Sequence, residues 1–406
     1  MTQNNLMVGR SYYKPFSYKE FYDRWMKHER SHWLPQEVPM HDDVDDWKNK
    51  LTEREKKFLT NIFRFFTQGD VDVAGAYCTD YIPNFCQTPE IAMFLCSVAA
   101  REAIHIDAYS YLIETLSMPE STYKEFLQYN EMKEKQDYIK QFQQSSMGSL
   151  GNKTNYYIMY AIVALVSLLM FSGFAVIFQP LFIFIFIRLY HNKQRLIKEH
   201  IAAGIALFSG FTEGMQLFSS FVMLLSFPLN GLMKGMGQII TWSIVDETQH
   251  IDGMISLFRI FLKENTTCRC RKIFGFKMCS CIRPEVLKET VKNIAYNMVN
   301  LEDNFINLVY QEHSEDEIFM NISKLNLKKY IRFIANKRLN TMGYDNLFPT
   351  DVKNPLPEFE IMINAPINTN FFENRSTDYS KPVNSNNWKT VWGNEKNINN
   401  IINEKA

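Results

Sequence analysis

The sequence predicts an all-α fold, and three observations carry that prediction. Glycine and proline are scarce, 16 and 14 in 406 residues, while phenylalanine (32), tyrosine (20) and methionine (20) are abundant. Few turn-formers and many long apolar side chains favour helices over many short strands. No stretch alternates apolar and polar residues with a period of two, whereas helix-start signals recur along the chain.

Taken in order, residues 1–50 read as an irregular, aromatic-rich segment ending in the acidic HDDVDDW. Thr52 with Glu55 forms a capping-box pattern, each side chain satisfying a free backbone N–H of the first turn. Phe58, Leu59, Ile62, Phe65 and Phe66 follow at helical spacing. Thr88-Pro89-Glu90 is a second start signal, with a cap residue, a first-turn proline and an acid at the positive end of the helix dipole. That helix should run to about Leu116, before Met118-Pro119, and further helices are expected over about 197–225, 233–264, 284–312 and 325–340. The tail from about 381 is Asn-rich and polar, the composition of a disordered segment.

Composition also excludes function classes. Lys+Arg and Asp+Glu are both 44, so the basic excess of a nucleic-acid-binding chain is missing. The N-terminus, MTQNNLMVGRSYYKPF, has no apolar core of a secretory signal. The 7 cysteines show no disulfide-scaffold spacing, which points to a reducing, cytoplasmic setting.

Two stretches break the pattern. Residues 156–187 contain no charged residue, and a run of ~20 apolar residues is enough to cross a bilayer. Membrane contact is therefore expected through this segment alone, if anywhere; the alternatives are a buried insertion or translated sequence foreign to the fold. The second is Cys268-x-Cys270 with Cys279-x-Cys281 in a basic loop. Four thiols could hold zinc, but the tight spacing favours an ordinary surface insertion.

The chemistry lies in two Glu-x-x-His pairs, Glu102/His105 and Glu247/His250, on separate predicted helices. Each pair sets a carboxylate and an imidazole one turn apart on one face. A single pair is more often structural than not. Two pairs match the ferritin-like helical bundle, whose di-metal carboxylate centre takes one further acid from each of two other helices. Glu213, a lone charge in IALFSGFTEGMQLFSSF, and Asp70, in FRFFTQGDVDVAGAY, are those acids; Asp72 is the rival to Asp70. Four carboxylates balance two divalent cations, and oxygen with imidazole donors suits iron or manganese. Tyr109 follows His105 by one turn, so it is either simple core packing or a redox group beside the metals. Asp246 points about 100° away from Glu247, which makes it either a solvated acid or a carboxylate that orients a ligating histidine.

At these residues the sequence resembles the ribonucleotide reductase small-subunit family. The resembling stretches are HWLPQEVPM, FRFFTQGDVDVA, AAREAIHIDAYSYLIETL, FTEGMQLFSSFVMLL, MKGMGQIITWSIVDETQH, KKYIRFIANKRL and NPLPEFEIMINAPINTNFFENRSTDY, reaching from about residue 10 to 380 apart from the two odd segments. The resemblance implies that Asp70, Glu102, His105, Glu213, Glu247 and His250 bind two iron ions, with manganese or a mixed manganese/iron pair as variants. It implies that O2 is used to form a stable radical on Tyr109. Trp33 would begin the outward radical path, Asp246 would link it to His105, and Tyr379 would pass the radical to a large subunit that reduces ribonucleotides to deoxyribonucleotides. A small-subunit homodimer whose C-terminal tail docks on that partner is also implied.

The expected organisation is an N-terminal segment, 1–50, carrying Trp33; a di-metal helical domain, 51–345, with atypical insertions at about 148–197 and 266–283; and a C-terminal docking segment, 346–406. Three features depart from the family: those two insertions, and the ending NINNIINEKA, which lacks the usual acidic or aromatic docking tail. Two rival readings remain at this stage. A membrane-associated di-iron oxidase would welcome the apolar run but has no use for Trp33, Tyr109 and Tyr379. A catalytically silent partner subunit would not need the complete radical path.

Overall fold

The chain enters the fold through a helix hidden in the segment expected to be irregular. A computed structural model describes residues 6–143, 175–267, 272–273, 276–277 and 279–364. In it, α1 (Lys19–Arg30) carries Phe21, Trp25 and His28 on one face, with Phe21 and His28 fully buried. Its polar, aromatic composition masks a short amphipathic stripe. The acidic stretch follows as α2 (His41–Asp45) and a π-helical turn, Asp46–Lys50.

α3 (Glu53–Ala76) starts at the Thr52/Glu55 box, in which Thr52 Oγ1 accepts from the Glu55 N–H at 3.3 Å and Glu55 Oε2 accepts from the Thr52 N–H at 2.7 Å. A π-helical turn, Tyr77–Tyr81, leads to α4 (Ile82–Phe85) and then α5 (Pro89–Thr115). The start signal of α5 works differently from the sequence expectation. The Thr88 hydroxyl does not cap the helix but donates to Leu6 O at 3.2 Å. Glu90 is buried and accepts from the Ser17 and Tyr18 N–H groups, both at 2.9 Å, and from Arg10. Both residues tie the N-terminal arm to α5.

α6 (Ser121–Lys124) and α7 (Asn130–Lys140) follow. α8 (Ala175–Ile205) begins well before the expected 197. It continues through an 11-residue π-helical stretch, Ala206–Gln216, into α9 (Leu217–Leu229). From Phe184 to Leu229 this path is apolar and long enough to cross a membrane, yet its apolar core is buried inside the protein. Residues 201–227 are buried without interruption, as in a helix packed on all sides inside a protein core. The part of the apolar run from 156 to 174 lies outside the described residues.

α10 (Lys234–Thr266) is held at its N-terminus by the acidic stretch. Asp43 accepts from the Gly235 and Met236 N–H groups, each at 2.8 Å, and Asp46 accepts from the Met233 N–H at 2.7 Å. A Cβ on Gly235 would lie 2.9 Å from Pro39 O and 2.8 Å from Asp43 Oδ2, so only glycine allows this close approach. Replacing Asp43 with alanine strands two N–H groups at the dipole's positive end. It is expected to lower the unfolding free energy by about 2 kcal/mol, read from urea denaturation.

Between α10 and α11 (Pro284–Val309) lies a ladder of β1 (Lys272–Ile273) and β2 (Phe276–Lys277). Cys268 and Cys270 lie outside the described residues. A second ladder, β3 (Ile318–Phe319) with β4 (Ile322–Ser323), precedes α12 (Lys324–Met342) and α13 (Pro357–Asn364). α3 lies along α5 and α1 covers α5, while α9–α12 surround the π-helical stretch. The fold is thus a helical bundle whose strands, among the described residues, are two-residue ladders.

Candidate metal centre

Four helical elements converge on one buried cluster. α3 supplies Asp70, α5 supplies Glu102 and His105, the π-helical stretch supplies Glu213, and α10 supplies Glu247 and His250. None of the six is more than 1% exposed. One candidate ligand atom from each of Glu102, Glu213, Glu247 and His250 lies within 4.8 Å of the others, and the same holds for Asp70, Glu102 and His105. Glu102 belongs to both groups.

The two Glu-x-x-His pairs interleave. His105 Nδ1 is 3.0 Å from Glu247 Oε1 and 3.6 Å from Glu102 Oε2. His250 Nδ1 is 3.0 Å from Glu102 Oε1 and 3.4 Å from Glu247 Oε2. Each histidine therefore faces the carboxylate of both pairs, and Glu102 and Glu247 lie between the imidazoles. Asp72, the rival to Asp70, is held elsewhere: its carboxylate accepts from Gln68 Nε2 at 3.0 Å and from Gln136 Nε2 of α7 at 2.8 Å.

The donor set fits a pair of cations. Both Glu102 oxygens, Asp70 Oδ1, Glu213 Oε1, Glu247 Oε2 and His250 Nδ1 are buried and make no hydrogen bond, a costly arrangement unless a cation binds them. Burial, then the neighbouring acids, pushes Asp70 and Glu213 well above the usual carboxylate range. Burial also opposes charge on Glu247 and His250, but their mutual attraction prevails, holding Glu247 at about 2 and His250 at about 10. Protons thus balance charge that divalent ions would balance by displacing them.

Tyr109 is 2% exposed; its hydroxyl lies near the Ser243 side chain but makes no well-formed hydrogen bond among the described residues. Its ring stacks on Phe66 at 4.0 Å, and Phe66 stacks on Phe221. Burial, and after it the charge of Asp70, raises its hydroxyl well above the usual tyrosine range. On the far side of His105, Trp33 Nε1 donates to Asp246 Oδ2 at 2.7 Å, and that oxygen lies 3.4 Å from His105 Nε2. The Trp33 ring packs on Trp242 at 5.3 Å. Tyr379 lies outside the described residues.

Sequence reasoning missed His28, Ser97 and Arg101, buried behind His250. Arg101 carried a signal, a cation inside the apolar AAREAIH; His28 carried none, because its partner is 222 positions away.

The family model described as "Ribonucleotide reductase, small chain" matches residues 10–180 and 184–355. The chain belongs to the ribonucleotide reductase small-chain family. The probable ribonucleoside-diphosphate reductase small subunit 376L of Invertebrate iridescent virus 6 is 53% identical, over 96% of this chain and 99% of the relative. Subunit 048L of Invertebrate iridescent virus 3, with the same description, is 43% identical over 95% and 88%. Two solved structures share the fold. The putative class I ribonucleotide reductase of Bacillus halodurans matches with a TM-score of 0.60 at 17% identity, covering 85% of this chain and 99% of that one. The dimanganese(II)-NrdF of Streptococcus sanguinis matches with a TM-score of 0.56 at 19% identity, covering the same shares. Within the ribonucleotide reductase small-chain family, the buried Glu/His cluster reads as a di-metal centre.

Proposed function

We propose that this chain is the radical-generating small subunit of a ribonucleoside-diphosphate reductase, acting in the cytoplasm as a homodimer with a large catalytic subunit. The observation that carries this reading is one buried cluster uniting both Glu-x-x-His pairs with Glu213 and Asp70. Asp70, Glu102 and His105 would hold one ion, and Glu213, Glu247 and His250 the other, with Glu102 within reach of both groups. A bound pair of iron ions, or of manganese or both, would supply with O2 the oxidising power to take an electron and a proton from Tyr109.

The residues themselves do the rest. Phe66 and Phe221 keep water from the Tyr109 ring, which preserves a radical there. Asp246 holds the Trp33 indole against the back of His105 and so joins the centre to the surface path. Tyr379, on the docking segment 346–406, would continue that path to the partner. Segment 1–50 contributes Trp33, and 51–345 forms the di-metal domain.

The test is to load the purified full chain with Fe(II) anaerobically and admit O2. A tyrosyl signal in electron paramagnetic resonance is expected, and with a large subunit, reduction of ribonucleoside diphosphates. Trp33→Phe should keep the signal and lose the reduction. Absence of a tyrosyl signal with iron, manganese and the mixed pair alike would overturn the reading.

A further inference from the structure

The outward nitrogens of the two candidate histidine ligands meet different partners. His105 Nε2 faces the Asp246 carboxylate at 3.4 Å, whereas His250 Nε2 faces another imidazole, His28 Nε2, at 3.3 Å. Two imidazole nitrogens can share a hydrogen bond only if one carries the proton and the other a lone pair. The surroundings decide which.

Arg101 Nε lies 3.2 Å from that same His28 Nε2, and Arg101 Nη2 donates to His28 O at 2.7 Å. A guanidinium has donors only, so His28 Nε2 must be the lone-pair nitrogen. The His28 proton then sits on Nδ1, which is 3.1 Å from Ser97 Oγ. That hydroxyl sends its own hydrogen to Phe94 O at 2.8 Å, leaving its oxygen free to accept. Every direction in this chain is therefore fixed. With an acceptor opposite it, His250 keeps a proton on Nε2, so an ion that displaces the proton from Nδ1 finds its lone pair there, on the side of Glu102 and Glu247. His28 and Arg101 are 2% and 5% exposed, so bulk water does not substitute for either.

We propose that His28, set by Arg101 and Ser97, is a positioning residue that locks His250 in the tautomer able to bind metal through Nδ1. The inference rests on the di-metal reading above. It makes the two histidine ligands unequal: Asp246 faces His105 directly and raises its basicity, while His250 meets an imidazole, with Asp246 Oδ1 standing off at 3.7 Å from His28 Nε2 and its other oxygen 3.3 Å from Arg101 Nε. Loss of His28 should then weaken the ion on His250 and spare the ion on His105.

Mn(II) titration of the full chain, followed by electron paramagnetic resonance of the free ion, tests this without relying on activity. For His28→Leu, affinity for one of the paired ions should fall roughly 10–100-fold, the usual effect of removing a ligand's hydrogen-bond partner, with the other ion unchanged. His28→Gln should restore it, because the amide oxygen accepts from His250 and Arg101 while the amide NH2 donates to Ser97. Unchanged affinity for both ions in His28→Leu overturns the proposal, as does equal loss in the leucine and glutamine variants, which would report packing instead of tautomer. Should the parent chain fail to bind a pair of ions, the di-metal reading itself falls. Circular dichroism of both variants separates any failure to fold from a binding defect.

Discussion

Replacing Tyr109 with phenylalanine is expected to abolish the tyrosyl signal and bring ribonucleotide reduction to background, with metal binding intact. The fold should not suffer. A buried tyrosine retained for packing normally has a partner for its hydroxyl, and leaving such a group unsatisfied costs about 1–3 kcal/mol. The Tyr109 hydroxyl lies near Ser243 without a well-formed hydrogen bond, so its removal is neutral or mildly stabilising. Thermal unfolding of metal-free parent and variant measures that part, and electron paramagnetic resonance after O2 exposure measures the rest. A variant that keeps a tyrosyl signal would move the radical to another residue. A variant that unfolds would make Tyr109 a packing residue.

The largest effect on stability is expected outside the cluster, at Lys135. This lysine of α7 is 1% exposed and pairs with the fully buried Glu302 of α11 at 2.6 Å. Its ammonium sits 3.8 Å from the centre of the Phe65 ring and 4.3 Å from that of Phe305, and Ser219 also donates to Glu302. Burial lowers the lysine and raises the glutamate, each resisting its charged form, while their attraction opposes both shifts. Lys135→Met leaves an unpaired carboxylate in the core and should cost ~3–5 kcal/mol, whereas combining it with Glu302→Leu should recover most of the loss. Urea denaturation of both single variants and the double variant gives the coupling directly. Additive losses would mean that the pair does not act as a unit.

The contrast between Tyr109 and Lys135 shows where sequence reading succeeds. The two Glu-x-x-His pairs are legible because helical spacing turns a local pattern into a shared face. Glu213 is legible because a lone acid in an apolar helix needs a reason. The sequence favours Asp70 over Asp72 although both follow the same apolar run; in the structure Asp72 is engaged by Gln136, from a helix far along the chain. Lys135 lies in the polar NEMKEKQDY, where nothing separates it from its exposed neighbours. α1 escaped notice because its buried face is short, and with it went His28. The π-helical geometry around Glu213 leaves no mark on composition. Local periodicity thus yields the helices and most of the cluster, while contacts between distant segments decide which polar residues surround it.

The uninterrupted burial of residues 201–227 also bears on how the protein is made. The helices that cover this stretch include α10, α11 and α12, all later in the chain. While the ribosome is still synthesising them, this apolar segment, with Glu213 inside it, has no complete surface on which to pack. Such a segment is prone to aggregate during synthesis, so folding of the metal-binding core must wait for the C-terminal third of the chain.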